Sequence, residues 1–245
     1  SKSSVRSFAE GAAPAAMESK VADSGSAQDY SQTNVQVMGV DEADFVKNDG
    51  KYIYVISQNK LVIVDGFPAE NAEIASETNI KGRPRDMFVN KDRLVVFTEI
   101  DDEVYILPQY DFMPRQRYTA VTHALVFDIS DKSKPKIVKD YNMNGHYFQS
   151  RMIDDYVYFI INENVYYYND VIDLPTVRVA STTAVKPEIF YFDNPDLSYN
   201  FNTIASFNLM DDRKEINAKT FMMGYSNVLY VSQNNIYISY QKNLP

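Results

Sequence analysis

The chain has 245 residues, enough for one large all-β domain or two small ones. Its 33 acidic residues outnumber 24 Lys and Arg, and the net charge of −9 argues against nucleic acid as a partner, because phosphate contacts need a basic face. Cysteine is absent, which excludes disulfides, thiolate nucleophiles and Cys zinc sites, and no apolar run approaches the length of a membrane span.

Residues 1–32 are rich in Ser, Ala and Gly and lack sustained periodicity. They read as a flexible linker or stalk, with a short helix over Phe8 to Lys20 as the competing reading. No signal peptide is recognisable, and a mature secreted chain would have lost one. Thr33 to Val40 alternates weakly and predicts a lone strand with a partner distant in sequence, placed to complete a last repeat.

Lys51 to Ser57 (KYIYVIS) and Lys60 to Asp65 (KLVIVD) are dense in the β-branched and aromatic residues that suit a pleated sheet. Gln58-Asn59 between them predicts a two-residue hairpin, Asn being tolerant of left-handed backbone. Asn48-Asp49-Gly50 turns the chain before them, and Ala72 to Lys81 partly alternates after them. The result is a four-stranded meander over residues 41–82.

The pattern recurs. In residues 83–144 the expected strands are Asp86 to Val89, Arg93 to Thr98, Ala120 to Ile129 and Lys136 to Met143, with an acidic, Pro-containing loop from Glu99 to Tyr118. In residues 145–223 they are Tyr147 to Ile153, Tyr156 to Ile161, Tyr199 to Leu209 and Glu215 to Met223, with a long insertion from Asn162 to Ser198. In residues 224–245 Val228 to Ser232, Gln233-Asn234 and Asn235 to Tyr240 echo the first hairpin, so Asn235 to Tyr240 is expected as the third strand of an incomplete fourth unit. Four-strand units at irregular spacing predict an all-β β-propeller with about three and a half blades; a β-sandwich is the competing fold.

Several segments resemble a family. Thr33-Asn34-Val35-Gln36, Gly39-Val40-Asp41-Glu42-Ala43-Asp44, Val46-Lys47 and Asp49 to Val55 look like the opening signature of the secreted β-propeller proteins of archaea and bacteria, distantly related to WD40 repeats. Ser150-Arg151-Met152, Asp155 to Tyr158, Tyr191 to Pro195 and Ser232 to Tyr237 resemble later family segments. The resemblance covers about Thr33 to Tyr240. It implies a propeller fold and an extracellular or cell-surface location, with no catalytic residues to transfer. Family propellers are longer, which implies that the remainder of a propeller, another chain or another copy completes the open blades.

Asp41, Glu42 and Asp44 form the densest carboxylate cluster and are the candidate metal ligands, for Ca²⁺, against a solvated acidic rim. Asp101-Asp102-Glu103 and Asp154-Asp155 read as solvated turn acids. His123 and His146 are the two histidines; Met143 and Met152 near His146 raise a soft-metal site as a minor alternative. No Gly-x-Ser-x-Gly nucleophile motif or phosphate-binding loop occurs. Tyr166, Tyr167, Tyr168, Tyr191 and Phe192, all in the insertion, are the candidate contact surface, since Tyr supplies amphipathic area at interfaces. The expected function is an extracellular binding or structural module, with a secreted hydrolase or metal-dependent enzyme, its site in the propeller channel, as the alternative.

Overall fold

The computed structural model describes residues 36–106, 115–168, 171–193 and 196–242. The expected linker at residues 1–32 lies outside them. A two-residue strand, β1 (Asp41–Glu42), precedes the first sheet, whose strands are β2 (Val46–Asn48), β3 (Tyr52–Ser57), β4 (Lys60–Asp65) and β5 (Glu73–Asn79). The second sheet is built on β6 (Arg83–Asn90), β7 (Arg93–Ile106), β8 (Arg115–Asp128) and β9 (Lys136–Asn144). The third begins with β10 (His146–Ile153) and β11 (Tyr156–Asn164). The insertion then forms β12 (Tyr167–Tyr168), β13 (Val171–Ile172), β14 (Val177–Val179), β15 (Thr182–Val185) and β16 (Glu188–Tyr191). β17 (Asn200–Asn208) and β18 (Asn217–Met223) complete the third sheet, and β19 (Ser226–Val231) with β20 (Ile236–Tyr240) is the fourth.

Consecutive strands pair antiparallel within each sheet, as in propeller blades. The tight turns share one device. Gln58, Lys91 and Asp154, each the first residue of a two-residue loop, take φ of 54°, 52° and 51°. In the first hairpin the left-handed residue is thus Gln58 and not the adjacent Asn59.

Each strand run is apolar on both faces because each inner sheet is sandwiched. In β7, Leu94 and Val96 pack toward blade one with Tyr54, Leu61 and Ile63, while Val95 and Phe97 pack toward blade three with Val157, Phe159 and Phe207. Phe97 stacks on Tyr147 with ring centroids 4.9 Å apart and meets Phe159 at 5.4 Å. A smaller cluster joins blades three and four through Ile160, Leu229 and Val231.

Four expectations change. The loop expected from Glu99 to Tyr118 is mostly a continuation of β7 and β8, which stay in register from Arg93 opposite Asp128 to Ile106 opposite Arg115. Main-chain pairing carries the hairpin through the acidic stretch, so Asp101, Asp102 and Glu103 are strand residues and not turn acids. Asn235 to Tyr240 supplies the second, not the third, strand of its sheet: only Gly224-Tyr225 separates the end of β18 from the start of β19, leaving no room for an earlier strand. Val37 to Val40 is a turn and not a strand, closed by the Val40 N–H on the Val37 carbonyl at 3.0 Å, with Gly39 at φ +81°. Val40 is buried on blades three and four, and Gln233 donates to the Met38 carbonyl at 3.0 Å. Last, the insertion builds sheet: β14 pairs with β9 on the outer edge of blade two, and β16 runs parallel to β18 on the outer edge of blade three. Among the described residues no helix is long and apolar enough to cross a membrane.

Among the described residues the two end blades are covered on one face only. Val46, Ile53 and Ile74 are exposed on the side of blade one away from blade two, and Val228, Tyr230 and Tyr237 on the side of blade four away from blade three. Phe97→Ala should therefore cost about 3–5 kcal/mol, as large-to-small changes in packed cores do. Ile53→Ala, on an uncovered face, should cost less than about 1 kcal/mol in the same urea titration. Equal losses would show that the end face is covered in solution.

Candidate functional site

The first strands of the blades converge through residues 41–48. Asp41 and Glu42 pair with Met152 and Arg151 of β10; Asp44 exchanges both main-chain hydrogen bonds with Met87 of β6, at 3.1 and 3.3 Å; Val46 then opens β2. Lys47, 8 % exposed, closes this strip by donating to Asp41 at 2.8 Å and to the Glu42 carbonyl at 2.5 Å.

Beside the strip lies a cleft of about 430 Å³, lined by Phe45, Arg85, Asp86, Glu99, His146 to Phe148 and Tyr225. All four blades, or the residues just before their first strands, contribute. A second cleft of about 400 Å³ shares His146 with the first and is lined also by Asp101, Arg117, Tyr118, Asn164 and Tyr166. Volumes of this order suit small-molecule sites.

Glu99 forms the floor of the first cleft and is 1 % exposed. Its carboxylate accepts from Arg85 at 2.6 Å and from the Tyr147 N–H at 2.9 Å, and His146 Nδ1 stands 3.8 Å away. Asp86 accepts from the Tyr147 hydroxyl at 2.8 Å. Burial raises the Asp86 carboxyl, and burial with the Asp86 charge raises the Tyr147 phenol well above its usual range. Arg83 stands 3.8 Å from Glu99 and donates two hydrogen bonds, at 2.5 and 2.9 Å, to Asp101 of the second cleft.

Glu163 holds the equivalent place behind the second cleft and is 4 % exposed. Arg117 reaches it at 3.3 Å and Asp173 at 3.5 Å, and its guanidinium lies 4.9 Å over the Tyr166 ring. Removal from water dominates over Arg117, so the Glu163 carboxyl is pushed up to about 7.

Glu99 and Glu163 were not among the sequence candidates. Their signal was an acid ending an apolar run, VVFTE and IINE, opposite a glycine at the blade entrance. Gly82 has φ +90°, and a Cβ there would lie 2.3 Å from the Glu99 carbonyl oxygen; Gly145 has φ +110°, and its Cβ would lie 3.0 Å from Cβ of Glu163. Glycine is required at both for conformation and for space.

The sequence candidates are dispersed. Asp41 is held by Lys47 and Glu42 faces Arg151 at 3.5 Å, while Asp44 accepts from the Phe45 N–H at 2.6 Å. A Ca²⁺ ion would have to displace both cations. Among the described residues no group of three His, Asp or Glu is arranged to hold a metal. Met143 and Met152 are core residues, whereas His146 is exposed and His123 pairs with Asp140 at 2.8 Å. Tyr166 lines the second cleft. Tyr167, Tyr191 and Phe192 are exposed, the last two at the outer edge of blade three; the Tyr168 side chain lies outside the described residues.

Glu163 gives a pH signature. Its proton binds more tightly in the folded state than at the ordinary value of 4.5. Between about pH 4.5 and 7 the unfolded chain therefore holds fewer protons than the native one, and this group lowers stability as pH rises. Glu163→Gln should melt higher than the parent chain at pH 8, by roughly 1–3 kcal/mol, with the difference vanishing near pH 4.5. A pH-independent difference in calorimetric melting would contradict this.

A model of the β-propeller domain family matches residues 30–244. An uncharacterised protein of Methanocaldococcus jannaschii is 27 % identical over 229 residues, covering 91 % of this chain and 31 % of the relative, so the chain spans about a third of that relative's length. No solved structure matches it significantly. With nearly its whole length matched and its strands arranged in successive, largely antiparallel sheets, the chain belongs to the β-propeller domain family.

Proposed function

We propose that this chain is an extracellular binding module whose ligand lies in the two joined clefts, and that its end blades dock onto further blades. The observation that carries the first part is the cleft itself. Groups leading into the first strands of all four sheets meet there, over a floor of buried, ion-paired side chains and under a rim of exposed rings. Fixed floors and aromatic rims suit recognition, because little has to be ordered when a ligand arrives. The extracellular location is what the resemblance of the opening segment implies.

The second part rests on the end faces. A sheet with one face in water alternates apolar and polar residues. Blade one instead presents Val46, Ile53 and Ile74 outward, with Val55, Val62 and Val64 half-buried behind them. Such faces are built to be covered. The cover is the remainder of a longer propeller, another chain or another copy, in keeping with a cell-surface assembly. A hydrolase is the second reading, favoured by Glu163, whose carboxyl is pushed by burial up to about 7 beside the second cleft.

Two experiments test these parts. Representatives of the main ligand classes (saccharides, nucleotides, amino acids, short peptides) should include one that raises the melting temperature by mass action, and Tyr118→Ala with Tyr225→Ala should remove the shift. No shift from any class would end the cleft reading, and turnover of the bound compound lost in Glu163→Gln would replace it with the hydrolase. The isolated chain should also bind a hydrophobic dye while folded, and Ile53→Glu with Val228→Glu should reduce that binding with circular dichroism unchanged. A dye-silent parent chain would contradict the open faces.

A further inference from the structure

We infer that the joined clefts take a neutral oligosaccharide, an assignment that rests on the binding reading above and narrows it. The first ground is charge. Among the described residues each arginine at the clefts already has a carboxylate: Arg83 has Asp101, Arg85 has Glu99, and Arg117 has Glu163 and Asp173. An anionic ligand would lie against Asp101 and Glu99, and a cationic one against Arg83 and Arg85. Either would meet like charge at close range.

The second ground is hydrogen-bonding capacity. A guanidinium has five N–H donors and a carboxylate about four acceptor sites, and the observed pairs use only part of each. Arg83 and Asp101 are linked by two hydrogen bonds and are both half-exposed or more, so the pair keeps solvent-facing polar atoms beside the second cleft, which Asp101 lines. A sugar hydroxyl donates and accepts at once, and it can use both without breaking the pair.

The third ground is the rings. Tyr118 is 74 % exposed, Tyr225 55 % and Phe45 49 %; Phe45 and Tyr225 line the first cleft and Tyr118 the second. Aromatic faces left open to solvent in a polar groove match the C–H faces of pyranose rings, whose edges carry the hydroxyls. His146 lines both clefts, so two recesses of about 430 and 400 Å³ lie on either side of one residue and together offer room to a chain of sugars rather than to one.

The test is titration calorimetry of the 245-residue chain with cellohexaose, chitohexaose and mannohexaose as neutral probes, hexagalacturonate as the anionic probe, and a neutral Gly-Ser-Tyr peptide. At least one neutral hexasaccharide should bind, with an affinity that changes little up to about 0.5 M salt because no charge is neutralised. Tyr118→Ala should weaken it about tenfold, a loss within the range for one aromatic contact, and Tyr118→Phe should restore it. Tyr118 is largely exposed, so the fold should tolerate both changes. Binding of hexagalacturonate or the peptide without any neutral sugar would overturn this inference and leave the binding reading standing. Sugar binding unaffected by Tyr118→Ala would overturn the location, and silence from every probe would count against both.

Discussion

The short run from Asp41 to Asn48 holds the sheets together at their inner edge. In eight residues it pairs with the first strand of blade three, bridges the first strand of blade two and becomes the first strand of blade one. The buried ammonium of Lys47 fixes its path by bonding Asp41 and the Glu42 carbonyl while lying 5.6 Å over the Phe88 ring. Blades that touch only through side-chain faces can slide; main-chain hydrogen bonds at the axis set their order and spacing. The cleft beside the strip depends on this, because Phe45 leads into the first sheet while Asp86 and His146 belong to the second and third, and they share a wall only while the strip holds.

The second constraint is that each inner blade is buried on both sides. A strand such as β7 cannot alternate apolar with polar and must read as a continuous apolar run. Polar side chains then gather where the apolar run gives out. Thr98 and Glu99 follow it within β7, Asn162 and Glu163 follow it near the end of β11, and all four are buried. The chemistry of the clefts therefore arises where the packing rule runs out.

Most of the strand pattern was legible in the sequence. KYIYVIS, RLVVFT and YVYFII each mark a strand with little ambiguity, and the turns between them were dense in Asn, Asp and Gly. What was not legible was rank and partner. Val228 to Tyr240 repeats the first hairpin in letters, but a hairpin has the same local sequence whether it joins strands one and two or two and three; the chain just upstream decides. The insertion was equally opaque, because Val177 to Val185 docks on blade two although blade three encloses it in sequence. In the acidic opening segment the carboxylates were visible and their cations were not: Lys47 and Arg151 are distributed over two strands. Glu99 and Glu163 looked like ordinary strand-end acids, and only the third dimension puts His146 beside the one and Arg117 beside the other.

The insertion also changes how the blades can move. It leaves blade three after Asn164, lays β14 along blade two and returns through β16 to the outer edge of blade three. Arg178 ties it to blade two, donating to Asn142 at 2.8 Å and to Asn144 at 2.7 Å. Blades two and three are thus joined at the axis by the opening strip and at the rim by this strap. Tilting one against the other would break main-chain bonds at two radii. Any change of pitch has to fall at the outer boundaries, between blades one and two or between three and four, so the pair carrying Glu99 and Glu163 behaves as a rigid chassis and its flanks as the joints.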